Sequence, residues 1–429
     1  MKYHFIGDKG ISMSGIKKYL IAKGHIVTGS DLKTTGHNAE NITSDIDLVV
    51  RSSAVNLGSE GWVEVEAAKK LGKKVIKRSE LLQEIAKDKQ MIAISGMHGK
   101  TTVTTMAGLL LINAGMDPTV LVGERVRDFH DEVLYIGNSD WFVMEACEYD
   151  RSFLDFYPQI LILTNIDEEH LDTYPGGLPE IKEAFLQYLG HMKEEGIIIA
   201  CKDDKNLMEV IEKSKTLAKI IYYGESSHKY NKLNIQLKIP GRHNRLNALA
   251  ILALADYLKI DDKIVRETLT KFQGARRRFE LKGNFNGADL IDDYGHHPTE
   301  IKATISALAE KYPGKKKIVV FWPHQYKRIK PLLKQFADAF SGADEVILKP
   351  IFLVPGRDEK LDISSKNLAE LISKNKPVKV YEKDEEIVQY LKNSLNDKSV
   401  LLTIGIPPIY KVADKLLIKG TSNTDTIHR

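Results

Sequence analysis

Eight residues, Ser95-Gly96-Met97-His98-Gly99-Lys100-Thr101-Thr102, follow the apolar run Met91–Ser95 and precede a helix-period stretch, Val103–Ala114. A glycine-bearing turn between strand and helix aims backbone N–H groups at a phosphate chain. Its lysine then reaches the terminal phosphates, and the hydroxyl that follows serves Mg²⁺. The strict pattern asks for a glycine five residues before Gly99, where Ile94 stands. The strand-to-helix context therefore carries the reading, against the plainer one of a glycine-rich turn with an incidental Lys-Thr. Two later segments add chemistry. Phe142-Val143-Met144-Glu145 reads as a buried strand ending in a carboxylate suited to a metal ion. Ile160–Asn165 reads as another, followed by Asp167, Glu168, Glu169 and His170. A histidine after a strand is most often structural, but this one lies at the carboxyl ends where open α/β sheets bind nucleotides.

Such groups must be held by buried strands. Continuous apolar runs recur at Ile197–Ala200, Leu290–Asp293, Ile318–Phe321, Glu345–Leu348 and Val400–Gly405. They suit parallel strands covered on both faces. Between them lie helix-period stretches such as Ile301, Ile305 and Leu308, so the class is α/β. Leu233–Ile239 instead alternates apolar and polar residues and predicts a half-exposed strand. Three blocks open in turn: the strand Tyr3–Ile6 with its glycine-containing turn, the strand Met91–Ser95, and the segment from Phe279 after the arginine cluster Arg276–Arg278.

Length and composition agree. The chain has 429 residues, room for two to four domains at roughly 100–200 residues each. Its 62 Lys+Arg against 58 Asp+Glu exclude a strongly basic nucleic-acid scaffold and an acidic tail. Two cysteines, Cys147 and Cys201, exclude a disulfide framework. No run approaches the ~18 apolar residues of a membrane span. A cytoplasmic protein with no nucleic-acid or membrane partner is expected, as a monomer or homodimer.

Several motifs together resemble the Mur ligases: Gly96–Thr102, Glu145-Ala146-Cys147-Glu148, Thr164-Asn165-Ile166 with His170-Leu171-Asp172, and Gly241-Arg242-His243-Asn244. Arg277-Arg278-Phe279-Glu280, Asp292–Glu300 and Pro323-His324 extend the resemblance over nearly the whole chain. It implies a Rossmann-like domain over 1–88 for a UDP-sugar, a central P-loop ATPase domain over 89–278, and a C-terminal Rossmann-like domain over 279–429 for the amino acid. It also implies ATP, with Mg²⁺ or Mn²⁺, and the substrates UDP-N-acetylmuramate and L-alanine, joined through an acyl phosphate. ATP binding would fall to Gly96, His98, Gly99, Lys100, Thr101, Thr102, Asn244, Arg278 and Asp293, with Lys100, His170, Arg278 and Asp293 central to catalysis. Thr101 would hold one metal ion, and Glu145 with His170 a second. The UDP-sugar would meet Gly7, Gly10, Ser14, Asp31, Ser52 and Ser53, and the amino acid Tyr294, His324 and Arg328, whose planar guanidinium suits a carboxylate.

The chain departs from the family's pattern at four places. Lys9 and Ser12 stand where glycines are usual, and Cys147 replaces an Asp. Gln325 and Lys327 alter the Pro-His segment, and Gly405-Ile406-Pro407-Pro408 replaces a Gly-Ala-Gly-Asp. A sister ligase that adds a peptide or another amino acid, and a non-catalytic nucleotide-binding homologue, are the rival readings. A dinucleotide oxidoreductase would use Asp31 on a ribose, but the glycine spacing fails and such an enzyme has no use for Lys100.

Overall fold

The computed structural model describes residues 1–227, 235–354 and 358–418. Three sheets follow one another along the chain, and the fold is α/β throughout. The first has the order β2-β1-β3-β4, all parallel, from β1 (Lys2–Ile6), β2 (Ile26–Ser30), β3 (Leu48–Arg51) and β4 (Lys74–Lys77). Its core joins Ile6, Val49 and Val55 to Val65 and Ala68.

The second sheet runs β11-β10-β9-β5-β8-β6-β7. Its strands are β5 (Gln90–Ser95), β6 (Thr119–Val126), β7 (Glu132–Tyr135), β8 (Trp141–Glu145), β9 (Ile160–Leu163), β10 (Ile197–Cys201) and β11 (Lys219–Tyr223). Only the edge pair β6–β7 is antiparallel. β5, β9 and β10 are buried almost throughout, as their unbroken apolar runs require.

Both sheets belong to one compact unit, Met1–Lys238 with Asn244–Ala275. Inside it, Lys18 pairs with Glu132. The Ser79 hydroxyl donates to Asp155 at 2.5 Å. A buried carboxylate ties the first sheet together. Glu64 accepts from His4 Nε2 at 3.0 Å, Ser30 Oγ at 2.7 Å, Asn41 Nδ2 at 2.9 Å and the Asn38 N–H at 3.2 Å, and lies 3.1 Å from His37 Nδ1. Burial opposes its charge, but the donors win and hold its pKa at about 2.

The second unit, Ile239–His243 with Arg276–Arg429, carries the third sheet, β12-β13-β17-β14-β15-β16. These strands are β12 (Glu280–Phe285), β13 (Ala288–Asp293), β14 (Lys316–Phe321), β15 (Glu345–Leu348), β16 (Val378–Val380) and β17 (Ser399–Ile404). β12 is antiparallel to β13 and the rest are parallel. β17, last in sequence, lies in the middle between β13 and β14. Apolar clusters cover both faces, one around Phe321 and Phe336, the other around Ile318 and Leu391. The strand expected over Leu233–Ile239 is not formed where it is described. Leu233 and Asn234 fall outside the described residues, and 235–239 pair with none of the three sheets. Alternation marks a strand only where a sheet edge receives it. Among the described residues no helix is long and apolar enough to cross a membrane.

Candidate active site

β5 ends at Ser95, and the chain turns through Gly96 and Gly99 into the helix Lys100–Asn113. Both glycines have positive φ, +128° and +87°. A Cβ on Gly96 would sit 2.2 Å from Thr164 Oγ1, and one on Gly99 would sit 2.7 Å from Asn247 Oδ1, so only glycine fits. The loop is braced by the end of β9. Asn165 Oδ1 accepts the His98 N–H at 2.9 Å, and Thr164 Oγ1 and Asn165 Nδ2 donate to the His98 carbonyl at 2.7 and 2.9 Å. His98 Nε2 lies 2.9 Å from Asp167. Thr101 and Thr102, both buried, occupy the first turn. Asn244, also buried, accepts from Asn247 Nδ2 at 3.5 Å within the helix Arg242–Leu258, and Asn247 backs onto Gly99 of the loop.

Lys100 folds back over this loop. Its Nζ donates to the carbonyls of Gly96 (2.5 Å) and Met97 (3.0 Å) and to Glu148 Oε2 (2.8 Å). His170 Nε2 stands 3.0 Å from the other oxygen of Glu148. Burial works against both charges, yet each stabilises the other: Lys100 is pushed above the usual lysine range and Glu148 below the usual carboxylate range. Local backbone aims these groups. Glu148 lies three residues past β8, in a turn where Asp150 and Arg151 take left-handed φ of 55° and 52°. Its carbonyl accepts from Tyr174 Oη at 2.7 Å. His170 is also left-handed (φ 55°), and its carbonyl accepts the N–H groups of Thr173 and Tyr174.

Glu145 and His170 were expected to share a metal ion, and the carboxylate that stands beside His170 in the structure is Glu148. Glu145 ends β8, and its Oε1 accepts the Gly123 N–H at 2.6 Å. It faces a different space, a cavity of about 300 Å³ whose walls include Gly10, Ser52, Ser53, Arg78 and Cys147. Strand alternation and the turn together send two acids three residues apart in different directions.

Of the residues expected to meet a UDP-sugar, the structure brings Gly10, Ser52 and Ser53 to this cavity. Gly7 backs onto Ser52, since a Cβ there would lie 2.6 Å from Ser52 Oγ. The Ser14 hydroxyl is engaged with the Ile11 carbonyl at 2.7 Å, and Asp31 accepts the N–H groups of Lys9 and Lys33. Asp8, in the same turn, is buried and paired with Lys17 at 2.8 Å. The Cys147 thiol is pushed up to about 11, chiefly by burial, which disqualifies it as a nucleophile near neutral pH.

In the second unit, Asp293 accepts the N–H groups of Phe279 (2.8 Å) and Gly295 (2.7 Å). Burial pushes its carboxyl up, against the attraction of Arg278. Arg278 and Arg277 both lie against the Tyr294 ring, at 5.1 and 5.0 Å from its centre. Arg277, part of the quoted Arg277–Glu280 motif but given no role there, is tied to the end of the third sheet. It donates to Asp292 (3.1 Å) and to the carbonyls of Gly405 (2.5 Å; Nη2) and Ile406 (3.0 Å). Those last two belong to the segment that departs from the family's pattern. Burial, ahead of Arg277, sets the Asp292 pKa at about 7. The structure joins His324 to Arg328, whose Nη1 donates to His324 Nδ1 at 3.1 Å, and stacks the imidazole on Phe352. Asp358 caps the turn by accepting the N–H groups of Tyr326 and Lys327.

Three family profiles match the chain in order. "Mur ligase family, catalytic domain" matches residues 2–90, "Mur ligase middle domain" 94–255, and "Mur ligase, glutamate ligase domain" 277–406. The chain belongs to the Mur ligase family, and it is an ATP-dependent ligase. Its relatives include the UDP-N-acetylmuramate–L-alanine ligase of Caldanaerobacter subterraneus subsp. tengcongensis, 40% identical over 97% of both chains. That of Clostridium acetobutylicum is 40% identical over 97% of this chain and 98% of its own. The solved UDP-N-acetylmuramate-alanine ligase of Thermotoga maritima superposes with a TM-score of 0.81 at 26% identity, covering 97% of this chain and 98% of that one.

Proposed function

We propose that this ligase joins L-alanine to the carboxylate of UDP-N-acetylmuramate, consuming ATP, as a step in making peptidoglycan precursors in the cytoplasm. What carries this assignment is the Lys100–Glu148–His170 cluster over a glycine-bound loop at a helix start. The names of the relatives support the choice of substrates. Residues 1–88 serve the UDP-sugar, 89–278 ATP, and 279–429 the amino acid.

ATP transfers its γ-phosphoryl group to a carboxylate oxygen, giving an acyl phosphate and ADP. Two anions must meet, so cationic groups have to be fixed before they arrive. The loop N–H groups and the first turn of Lys100–Asn113 hold the phosphates, and Lys100 exchanges its carbonyl and Glu148 partners for phosphate oxygens. Thr101 and Glu148 would offer Mg²⁺ the hydroxyl and carboxylate oxygens a hard cation prefers, with the softer His170 nitrogen beside the carboxylate. When bound, Mg²⁺ neutralises charge on the phosphoryl oxygens. Asn244, Arg278 and Asp293 serve the nucleotide. The amine of alanine then attacks the acyl carbon, and the tetrahedral adduct loses a proton from nitrogen and expels phosphate. Arg328, its tautomeric partner His324 and Tyr294 receive the amino acid, with the guanidinium on its carboxylate.

The test is phosphate release with ATP and UDP-N-acetylmuramate, offering L-alanine, glycine, L-serine and a tripeptide in turn. L-Alanine is expected to be fastest. A faster tripeptide would replace this reading with the sister ligase, and no release with any acceptor would replace it with a non-catalytic homologue.

A further inference from the structure

Three neighbouring strands of the third sheet, β13, β17 and β14, end at Asp293, Ile404 and Phe321. The chain leaves them through Tyr294, Gly405 and Trp322, and these exits are tied together. The Gly405 N–H donates to the Asp293 carbonyl at 3.1 Å, and the Trp322 N–H to the Ile404 carbonyl at 3.2 Å. A Cβ on Gly405 would lie 2.9 Å from the Trp322 carbonyl. The rim of the sheet therefore carries Tyr294 and, two residues past Trp322, His324.

Arg277 enters this rim from outside the three strands. Besides Asp292 and the carbonyls of Gly405 and Ile406, its Nη2 reaches the Pro407 carbonyl at 3.5 Å, and its Cζ lies 5.0 Å from the centre of the Tyr410 ring. Its own carbonyl accepts the Tyr294 N–H at 2.7 Å. The turn needs such a donor. A β-turn over 405–408 closes with the N–H of its fourth residue, and Pro408 has none. One guanidinium supplies what the backbone lacks, its planar fork spanning a carboxylate and successive carbonyls.

We propose that Arg277 is a positioning residue for the acceptor: it locks Tyr294 to the 405–407 turn, and so fixes the rim at which the amino acid is received. The inference rests on the acceptor reading above, in which Tyr294, His324 and Arg328 meet the amino acid. Arg277 itself touches no substrate in this scheme. Its charge is balanced by Asp292 and its fork is taken up by protein carbonyls, so it acts through the Tyr294 ring and the backbone beside it. Without it the ring and the turn move independently, and an amino acid as small as alanine brings few contacts of its own to restore their spacing. The nucleotide contacts should survive its loss. Asp293 is held by the N–H groups of Phe279 and Gly295, neither of which involves the Arg277 side chain.

Steady-state phosphate release by the full chain, with each of the three substrates varied in turn, reads this. Arg277→Met is expected to raise the KM for L-alanine roughly 10-fold or more, and to move those for ATP and UDP-N-acetylmuramate by less than about threefold. Arg277→Lys should lie between it and the parent, because an ammonium keeps the charge but cannot span the carboxylate and the carbonyls. Arg277→Met leaves a buried carboxylate unpaired, so the double variant Arg277→Met/Asp292→Asn serves should the single one fold poorly. An L-alanine KM equal to the parent's in the variant that folds, or three KM values rising together, would overturn the proposal. If phosphate release by the parent chain did not depend on L-alanine, the acceptor reading itself would fail.

Discussion

Replacing Glu148 by Gln keeps the shape of the side chain and removes its charge. The carboxylate is fully buried, with Lys100 Nζ 2.8 Å from one oxygen and His170 Nε2 3.0 Å from the other. Lys100 would keep only the carbonyls of Gly96 and Met97. Removing one partner of a buried ion pair costs about 3–5 kcal/mol in stability. Losing an anionic oxygen from a hard-cation site should raise the Mg²⁺ concentration for half-maximal activity roughly tenfold or more. The kcat should fall by roughly 10²–10³, the usual cost of one charged element of a phosphoryl-transfer site. Metal-free ADP should bind no more weakly than to the parent, since Lys100 no longer has to leave a carboxylate. Glu145→Gln supplies the contrast: its carboxylate is on the Gly123 N–H, so its Mg²⁺ titration should match the parent's. Steady-state phosphate release across a Mg²⁺ series, with calorimetry of ADP in chelator, reads all of this. A Glu148→Gln protein with a normal metal midpoint, or a Glu145→Gln protein with the shifted one, would refute the assignment of the two acids.

Lys100→Ala should abolish ligation while leaving circular dichroism unchanged, and near-normal turnover would remove the loop from ATP chemistry. Arg328→Lys should raise the acceptor KM roughly 10-fold or more with little effect on the KM for ATP, because the charge stays while the planar fork is lost. An acceptor KM equal to the parent's would free Arg328 of that role. Glu64 has its pKa lowered from 4.5 to about 2. Its charge therefore stabilises the fold above pH 4.5, and this stability is lost as the pH falls from about 4.5 through about 2, amounting to about 3 kcal/mol. Glu64→Gln should accelerate hydrogen exchange in β1–β3 at pH 7 and spare β8–β10, and equal protection in the two proteins would contradict the network's importance.

Eight strands of the second and third sheets were legible because burial on both faces leaves an apolar run, as in β9 and β10, whereas β6, β7, β11, β12 and β16 were not anticipated. The phosphate loop was legible because its glycines answer to a backbone requirement visible in one dimension. Glu148 was not. Two acids three residues apart look equivalent in sequence, and the choice between them depends on left-handed residues at 150 and 151 and on a hydroxyl from Tyr174. Arg277 was quoted in a motif but its role was not legible, because its partners at 405 and 406 lie 128 and 129 residues away. Ser12 and Arg78 are 66 residues apart and meet through tertiary packing alone. The Leu233–Ile239 alternation promised a strand that its described part does not form.

The central place of β17 carries a consequence for synthesis on the ribosome. The strand is the last of its sheet to be made, yet it supplies both the neighbour of β13 and the neighbour of β14. Until residue 404 has left the exit tunnel, the nascent second unit is two half-sheets, each with a bare, apolar inner edge. Arg277 waits over the same interval for the carbonyls of Gly405 and Ile406. Premature termination before Ser399 should therefore yield a first unit that folds and a trailing segment that seeks foreign strands, making a truncated chain a substrate for chaperones and proteases rather than a weaker enzyme.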